Sequence, residues 1–177
     1  VVLFVRSCEH IEQFEEYLNA IPQGADIHIL SPLEDVGPFE RMFSQQHRVS
    51  VHKTERETIA STAIIRYLAQ IELTYRYLLV LRFDVSDRAD YAATYKSMEC
   101  LLKSPRFVRN VLDKFEDEPR LGLLFPSPPN NDKYTSVMGR EWIDFKDGVI
   151  ELVDELGVAF DAQQTPVAPY FGMYWCR

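Results

Sequence analysis

Residues 75–83, Tyr-Arg-Tyr-Leu-Leu-Val-Leu-Arg-Phe, constrain this 177-residue chain more than any other segment. From Tyr77 to Leu81 the run is apolar without a break, and its length and β-branched and aromatic content fit a strand better than a helix. A strand that is apolar at every position must be covered on both faces. That is the situation of a central strand in a mainly parallel sheet with helices above and below.

The rest of the chain supplies such helices and strands in alternation. Val1–Arg6 (VVLFVR) reads as a strand, with Ser7 as the N-cap of a helix carrying Ile11, Phe14, Tyr17 and Leu18 on one face. DIHIL (26–30) is a second strand, stopped by Ser31-Pro32. Residues 32–46 follow as a loop with one helical turn around Phe39–Phe43, and Val49 and Val51 mark a short third strand. Thr54-Glu55-Arg56-Glu57 has the form of a capping box, so a helix is expected from there through Ile64, Leu68 and Ile71 to about Leu73. After the central strand, residues 84–90 read as a loop and a helix runs from about Tyr91 to Lys103. Ser104-Pro105 opens the next helix, whose stripe is Phe107, Val108, Val111, Leu112 and Phe115, with Pro119 ending it. LGLLF (121–125) reads as a buried strand and PSPPNND (126–132) as a loop. Trp142, Phe145, Val149, Leu152, Val153 and Leu156 are spaced as one helix face, and the tail from Pro166 to Arg177 holds a last strand. This order predicts one layered α/β domain over 1–177, Rossmann-like, with a mainly parallel sheet flanked by helices.

Charge removes one class of function. With 19 basic and 27 acidic residues the net charge is −8, the wrong sign for holding a phosphate backbone, so no nucleic-acid partner is expected. Lys103, Arg106 and Arg109 are the densest basic group and read as a solvated helix face. Cys8, Cys100 and Cys176 are odd in number and far apart, which fits a reducing, cytoplasmic compartment and neither a disulfide framework nor a zinc site. His10, His28, His47 and His52 lack metal-ligand spacing and read as surface or strand residues. No run of 18 apolar residues predicts a membrane span, and no signal peptide is expected at the start.

In open α/β sheets ligands sit beyond the carboxyl ends of the strands, which directs attention to residues 82–90. Asp84, Asp87 and Asp90 follow the central strand there. Oxygen-rich loops suit hard cations, and such an ion can neutralise a diphosphate leaving group, so Asp84 and Asp87 are candidates for Mn²⁺ or Mg²⁺ and Asp84 for a catalytic role. Their spacing of three differs from the D-x-D of nucleotide-sugar transferases, and Asp87 suits a helix N-cap equally well. Arg82 could reach a phosphate or pair with Asp84. Arg56, beside Glu57 and after Lys53, stands at an expected helix start that could hold phosphate oxygens. The aromatic tail PYFGMYWCR offers Tyr170, Phe171 and Trp175 as sugar-binding faces or as core. No nucleophile elbow, phosphate-binding glycine loop or Cys-His pair is present.

Three stretches, YLLVLRFDVSD, LLKSPRFVRNVLDKFEDEPRLGLLFPSPP and PYFGMYWCR, resemble the rhamnan synthesis F family of bacterial surface polysaccharide assembly. Leu101, Leu102, Ser104, Pro105, Phe115, Pro119, Leu121, Gly122, Leu123 and Pro126 fall in register with its middle motif. Phe171, Gly172, Met173, Trp175 and Arg177 match its closing one. Where the family carries K-x-H-[ST]-K, this chain has Arg82-Phe83-Asp84-Val85-Ser86; of its N-R-G-R-D, Arg56 is kept, with Glu57 for Asp. The resemblance implies a glycosyltransferase A-like domain of a longer chain that transfers a sugar from a nucleotide donor to a glycan. Arg56, Glu57, Arg82 and Asp87 would lie on the donor and Tyr170, Phe171 and Trp175 on the acceptor. It implies work at the inner face of the membrane, peripherally associated, beside other polysaccharide-assembly enzymes. The altered polar positions keep open an alternative, a non-catalytic sugar- or partner-binding domain of the same fold that has lost its donor site.

Overall fold

The computed structural model describes residues 1–72, 74–126, 146–159, 161–164 and 169–177. The chain divides into two compact units, Val1–Pro126 with Pro169–Arg177, and Ser127–Ala168. The first is a six-stranded sheet with helices on both faces. Its strands are β1 (Val2–Val5), β2 (Asp26–Ser31), β3 (Arg48–Lys53), β4 (Leu78–Phe83), β5 (Leu123–Leu124) and β6 (Tyr174–Cys176), in the spatial order β3-β2-β1-β4-β6-β5. The first four are mutually parallel, and β6 runs antiparallel to both β4 and β5. The mainly parallel sheet expected from the alternation is therefore present, closed on one side by an antiparallel pair.

Side-chain alternation along the strands makes two cores. Leu3, Val5, Ile27, Ile29, Leu79, Leu81 and Phe83 face one layer, formed by a 3-10 turn (Ile11–Phe14), α1 (Glu15–Leu18), α2 (Gly37–Phe43), α4 (Arg88–Leu102) and α5 (Pro105–Asp117). Val2, Phe4, Leu30 and Val80 face the other, where α3 (Ala60–Leu68) contributes Ala63, Ile64 and Tyr67. The central strand β4 is thus covered on both sides, as its unbroken apolar run requires. The rings of Phe14 and Phe39 meet Phe83 edge to face at 5.1 and 5.0 Å, fixing the carboxyl end of β4.

Several elements depart from the sequence reading. Ser7 does not cap a helix; its hydroxyl accepts from the Glu9 amide at 3.0 Å, and helical backbone begins only at Ile11. The capping box at Thr54–Glu57 does not form, and α3 starts six residues later, at Ala60, ending at Leu68 rather than near Leu73. Two contacts hold the intervening segment out of the helix: Thr54 N–H donates to Ser31 O at 2.9 Å, and the Arg6 guanidinium grips Thr58 O at 2.9 Å. The helix begins where the apolar spacing of Ala60, Ala63, Ile64 and Tyr67 begins. α4 starts at Arg88, earlier than Tyr91, because Asp87 caps it by accepting from the Asp90 amide. Ser104 caps α5 as its sequence predicts, accepting from Phe107 N–H. LGLLF yields only the two-residue β5, part exposed, because it pairs on one side alone.

In the second unit the described helix is α6 (Lys146–Glu155); none of its described residues is buried, and Leu152 and Leu156 are exposed. Residues 127–132 of the expected loop, together with Trp142 and Phe145, lie outside the described residues. Among the described residues no helix is long and apolar enough to cross a membrane.

Candidate functional site

The direction of chain progression reverses between β1 and β4. The first three strands step outward from β1 to β3, and the chain then returns through α3 to β4 on the other side of β1. Such a reversal leaves a crevice at the strands' carboxyl ends. Arg82, the fifth residue of β4, lies there on the α3 side. With Ile59, Ala60, Ser61, Ile64, Phe171 and Gly172 it lines a pocket of about 300 Å³.

Three arrangements fix Arg82. Its Nη2 donates to Asp84 Oδ2 at 2.9 Å and lies 3.7 Å from Asp90 Oδ1. Its guanidinium stands 5.3 Å from the centre of the Phe171 ring, a cation–π distance. Its Nε is buried and has no hydrogen-bond partner among the described residues. An unsatisfied buried donor of this kind is unfavourable by about 1–3 kcal/mol until an acceptor reaches it.

Asp84 has a different role from the one its position suggested. It is 2% exposed, and its other oxygen accepts from Ser86 Oγ at 2.9 Å and Ser86 N–H at 3.4 Å. Its backbone carbonyl accepts from Thr94 Oγ1 at 3.0 Å. Burial alone would raise its carboxyl pKa, but Arg82 and Ser86 outweigh it and hold the group below the ordinary carboxylate value. Asp84 is thus a buried counter-ion of Arg82. Asp87 is spent on the cap of α4. The pair does not fit a divalent cation, and among the described residues no group of three or more His, Cys, Asp or Glu is placed to hold one.

The opposite wall of the pocket is the start of α3. Ile59 is its N-cap and offers no side-chain hydrogen bond, so among the described residues the first-turn amides of this nine-residue helix have no side-chain cap. Unbonded amides and the positive end of the helix dipole favour an anion. Sequence reasoning missed Ile59, Ala60 and Ser61 because the T-x-x-E pattern drew the helix start upstream to Thr54. The onset of apolar spacing at Ala60 was the signal that marks it.

The floor is built by the chain's closing segment. Phe171 has φ 60°, and Gly172 follows at φ 66°. Left-handed backbone is natural for glycine and strained for phenylalanine, and such strain persists only where the surroundings impose it. The residues that follow are anchored: Met173 and Trp175 are buried at 0% and 4% exposure, with the indole N–H donating to Leu101 O at 3.2 Å. Trp175 is thus packed in the core, whereas Phe171 lines the pocket. The side chain of Tyr170 lies outside the described residues. Arg177 ties the segment down, donating to Phe115 O and to Pro119 O at 3.1 Å. The structure does not bring Arg56 and Glu57 to this pocket: both are exposed in the turn before α3 and line neither it nor the larger pocket beside β3.

The family model described as Rhamnan synthesis protein F matches residues 3–177. No curated protein and no solved structure matches the chain.

Proposed function

We propose, for a chain that belongs to the rhamnan synthesis protein F family and so to rhamnan polysaccharide synthesis, that the Arg82 pocket receives the diphosphate of a nucleotide sugar in a glycosyltransferase A-like domain. The observation that carries this reading is the meeting of a half-buried guanidinium with the uncapped start of α3, across a pocket that no carboxylate lines among the described residues. Arg82 supplies donors there, and the Ser61 hydroxyl can donate or accept. The strand order, reversing between β1 and β4 with an antiparallel β6 beside β4, supports the glycosyltransferase A-like assignment.

In this account Asp84 and Phe171 hold the guanidinium in one orientation before the ligand arrives. Positioned donors lose little freedom on binding and meet the negative charge that develops on a departing diphosphate. The Phe171 ring and the backbone at Gly172 border the sugar. Placement at the inner face of a membrane, near other polysaccharide-assembly enzymes and a glycan acceptor, belongs to the same proposal.

The test is transfer itself. Incubation with TDP-rhamnose and a rhamnan acceptor should release TDP with the wild-type protein and not with folded Arg82→Ala. Absence of release from the wild type with any of the UDP, TDP or GDP sugars would remove the transferase reading. The burial of Asp84 against Arg82, which leaves it no part in proton transfer, favours a second reading: a sugar- or partner-binding domain of this fold that does not catalyse transfer.

A further inference from the structure

A second and larger pocket, about 500 Å³, opens on the other flank of α3, between that helix, the end of β3 and the segment that leaves it. Among the described residues it shares no lining residue with the Arg82 pocket. Its chemistry is also different. Glu55 accepts hydrogen bonds, Arg66 donates them, and Thr58 and Gln70 do both, above an apolar floor of Leu30, Val51 and Ala63. Lys53 adds little free charge, because its ammonium donates to Leu33 O at 2.8 Å and Glu34 Oε1 at 2.7 Å. Thr54 also lines the pocket, and its hydroxyl oxygen is buried with no hydrogen-bond partner among the described residues.

The inner wall is held rigid by a network that the Arg82 site does not use. Tyr75 donates to Asp26 Oδ2 at 2.8 Å, so its oxygen is left to accept from His28 Nε2–H at 3.3 Å. His28 Nδ1 then accepts from Tyr67 OH at 2.7 Å and lies 2.8 Å from Ser50 Oγ, which in turn meets His52 Nε2 at 3.2 Å. The result fixes the rings of His52 and Tyr67 side by side, their centres 4.5 Å apart, as one wall of the pocket. Preorganised walls of this kind reduce what binding must order.

A phosphate would want donors and cations only. Interspersed donors and acceptors, an apolar floor and a fixed ring wall suit a ligand whose every hydroxyl both gives and accepts a hydrogen bond. We propose that this pocket is a saccharide subsite that anchors the polysaccharide chain beside α3 and apart from the Arg82 pocket, a proposal that rests on the carbohydrate role inferred above.

Isothermal titration of the full chain with a rhamnose trisaccharide tests it, with inorganic phosphate as competitor. Arg66→Ala with Gln70→Ala alters two exposed side chains and leaves the core intact. The trisaccharide should bind the wild type and Arg82→Ala equally, and bind the double variant about tenfold more weakly, the loss expected for one or two hydrogen bonds. Phosphate should not compete. No binding to the wild type, binding unchanged in the double variant, or displacement by phosphate would each overturn the subsite. A nucleoside diphosphate that binds while the trisaccharide does not would overturn the subsite and leave the donor reading standing. Trisaccharide binding without any nucleotide binding would do the reverse.

Discussion

At the residue scale the account turns on Arg82 and on what holds it. Arg82→Lys keeps the charge but loses the planar fork and the stacking on Phe171, so nucleotide binding should fall nearly as far as in Arg82→Ala; titration calorimetry on both variants decides this. Asp84→Asn removes the nearer of the two carboxylates that face the half-buried guanidinium, leaving Asp90 at 3.7 Å, and should lower stability by less than the roughly 3–5 kcal/mol of a fully broken buried pair, measured by urea unfolding. The pH dependence follows from the sign of the shift. Because the folded carboxyl lies below its ordinary 3.8, its contribution is complete above that value and is lost as pH falls through the lower, folded one. Asp84 drew attention in the sequence because it follows a buried strand directly, and its pairing with Arg82 was legible as one of two options. What the sequence could not give was its 2% exposure, since burial depends on α4 and on Thr94, ten residues away.

Among the elements, α3 carries the most consequence. Its uncapped start leaves room for a designed trade-off: Ile59→Asp supplies the missing cap, which should stabilise the helix by about 1 kcal/mol, while placing a carboxylate in the anion pocket. Thermal unfolding should show the gain and nucleotide titration the loss; a stabilised variant that still binds would contradict the role given to the first turn. The stretch from β2 through β3 brings a second pH effect. Burial holds His28, His47 and His52 below their ordinary 6.5. The unfolded chain therefore takes up these protons first, and stability should decline as pH falls from about 6.5, before any carboxylate titrates. Elements with strong local signals were readable, β4 from its apolar run and α5 from Ser104-Pro105. The capping box misled because Arg6, 52 residues before Thr58, holds it in a turn, a tertiary contact that overrides local preference.

For the whole molecule, the matched motifs read mainly as packing. Leu101, Leu102 and Phe115 are core, Ser104 is a cap, and Trp175 and Arg177 lock β6 and the tail onto α4 and α5. Trp175→Ala should therefore destabilise the protein by about 3–5 kcal/mol and, by releasing the floor of the pocket, abolish binding as well. That division explains how much the sequence told: the layered, mainly parallel sheet was visible in the alternation, while the antiparallel closure by β6 depends on a return of the chain from Pro169, which leaves no local trace. The central claim is that one anion pocket forms where Arg82 faces the start of α3. Thermal unfolding of the wild type and of Arg82→Ala, each titrated with UDP, TDP and GDP, tests it most directly. A ligand at a hundredfold excess over its dissociation constant stabilises the native state by about 2.7 kcal/mol. The account predicts a stabilisation of that order by at least one nucleotide in the wild type and none in Arg82→Ala; stabilisation undiminished in the variant, or absent from both proteins, would contradict it.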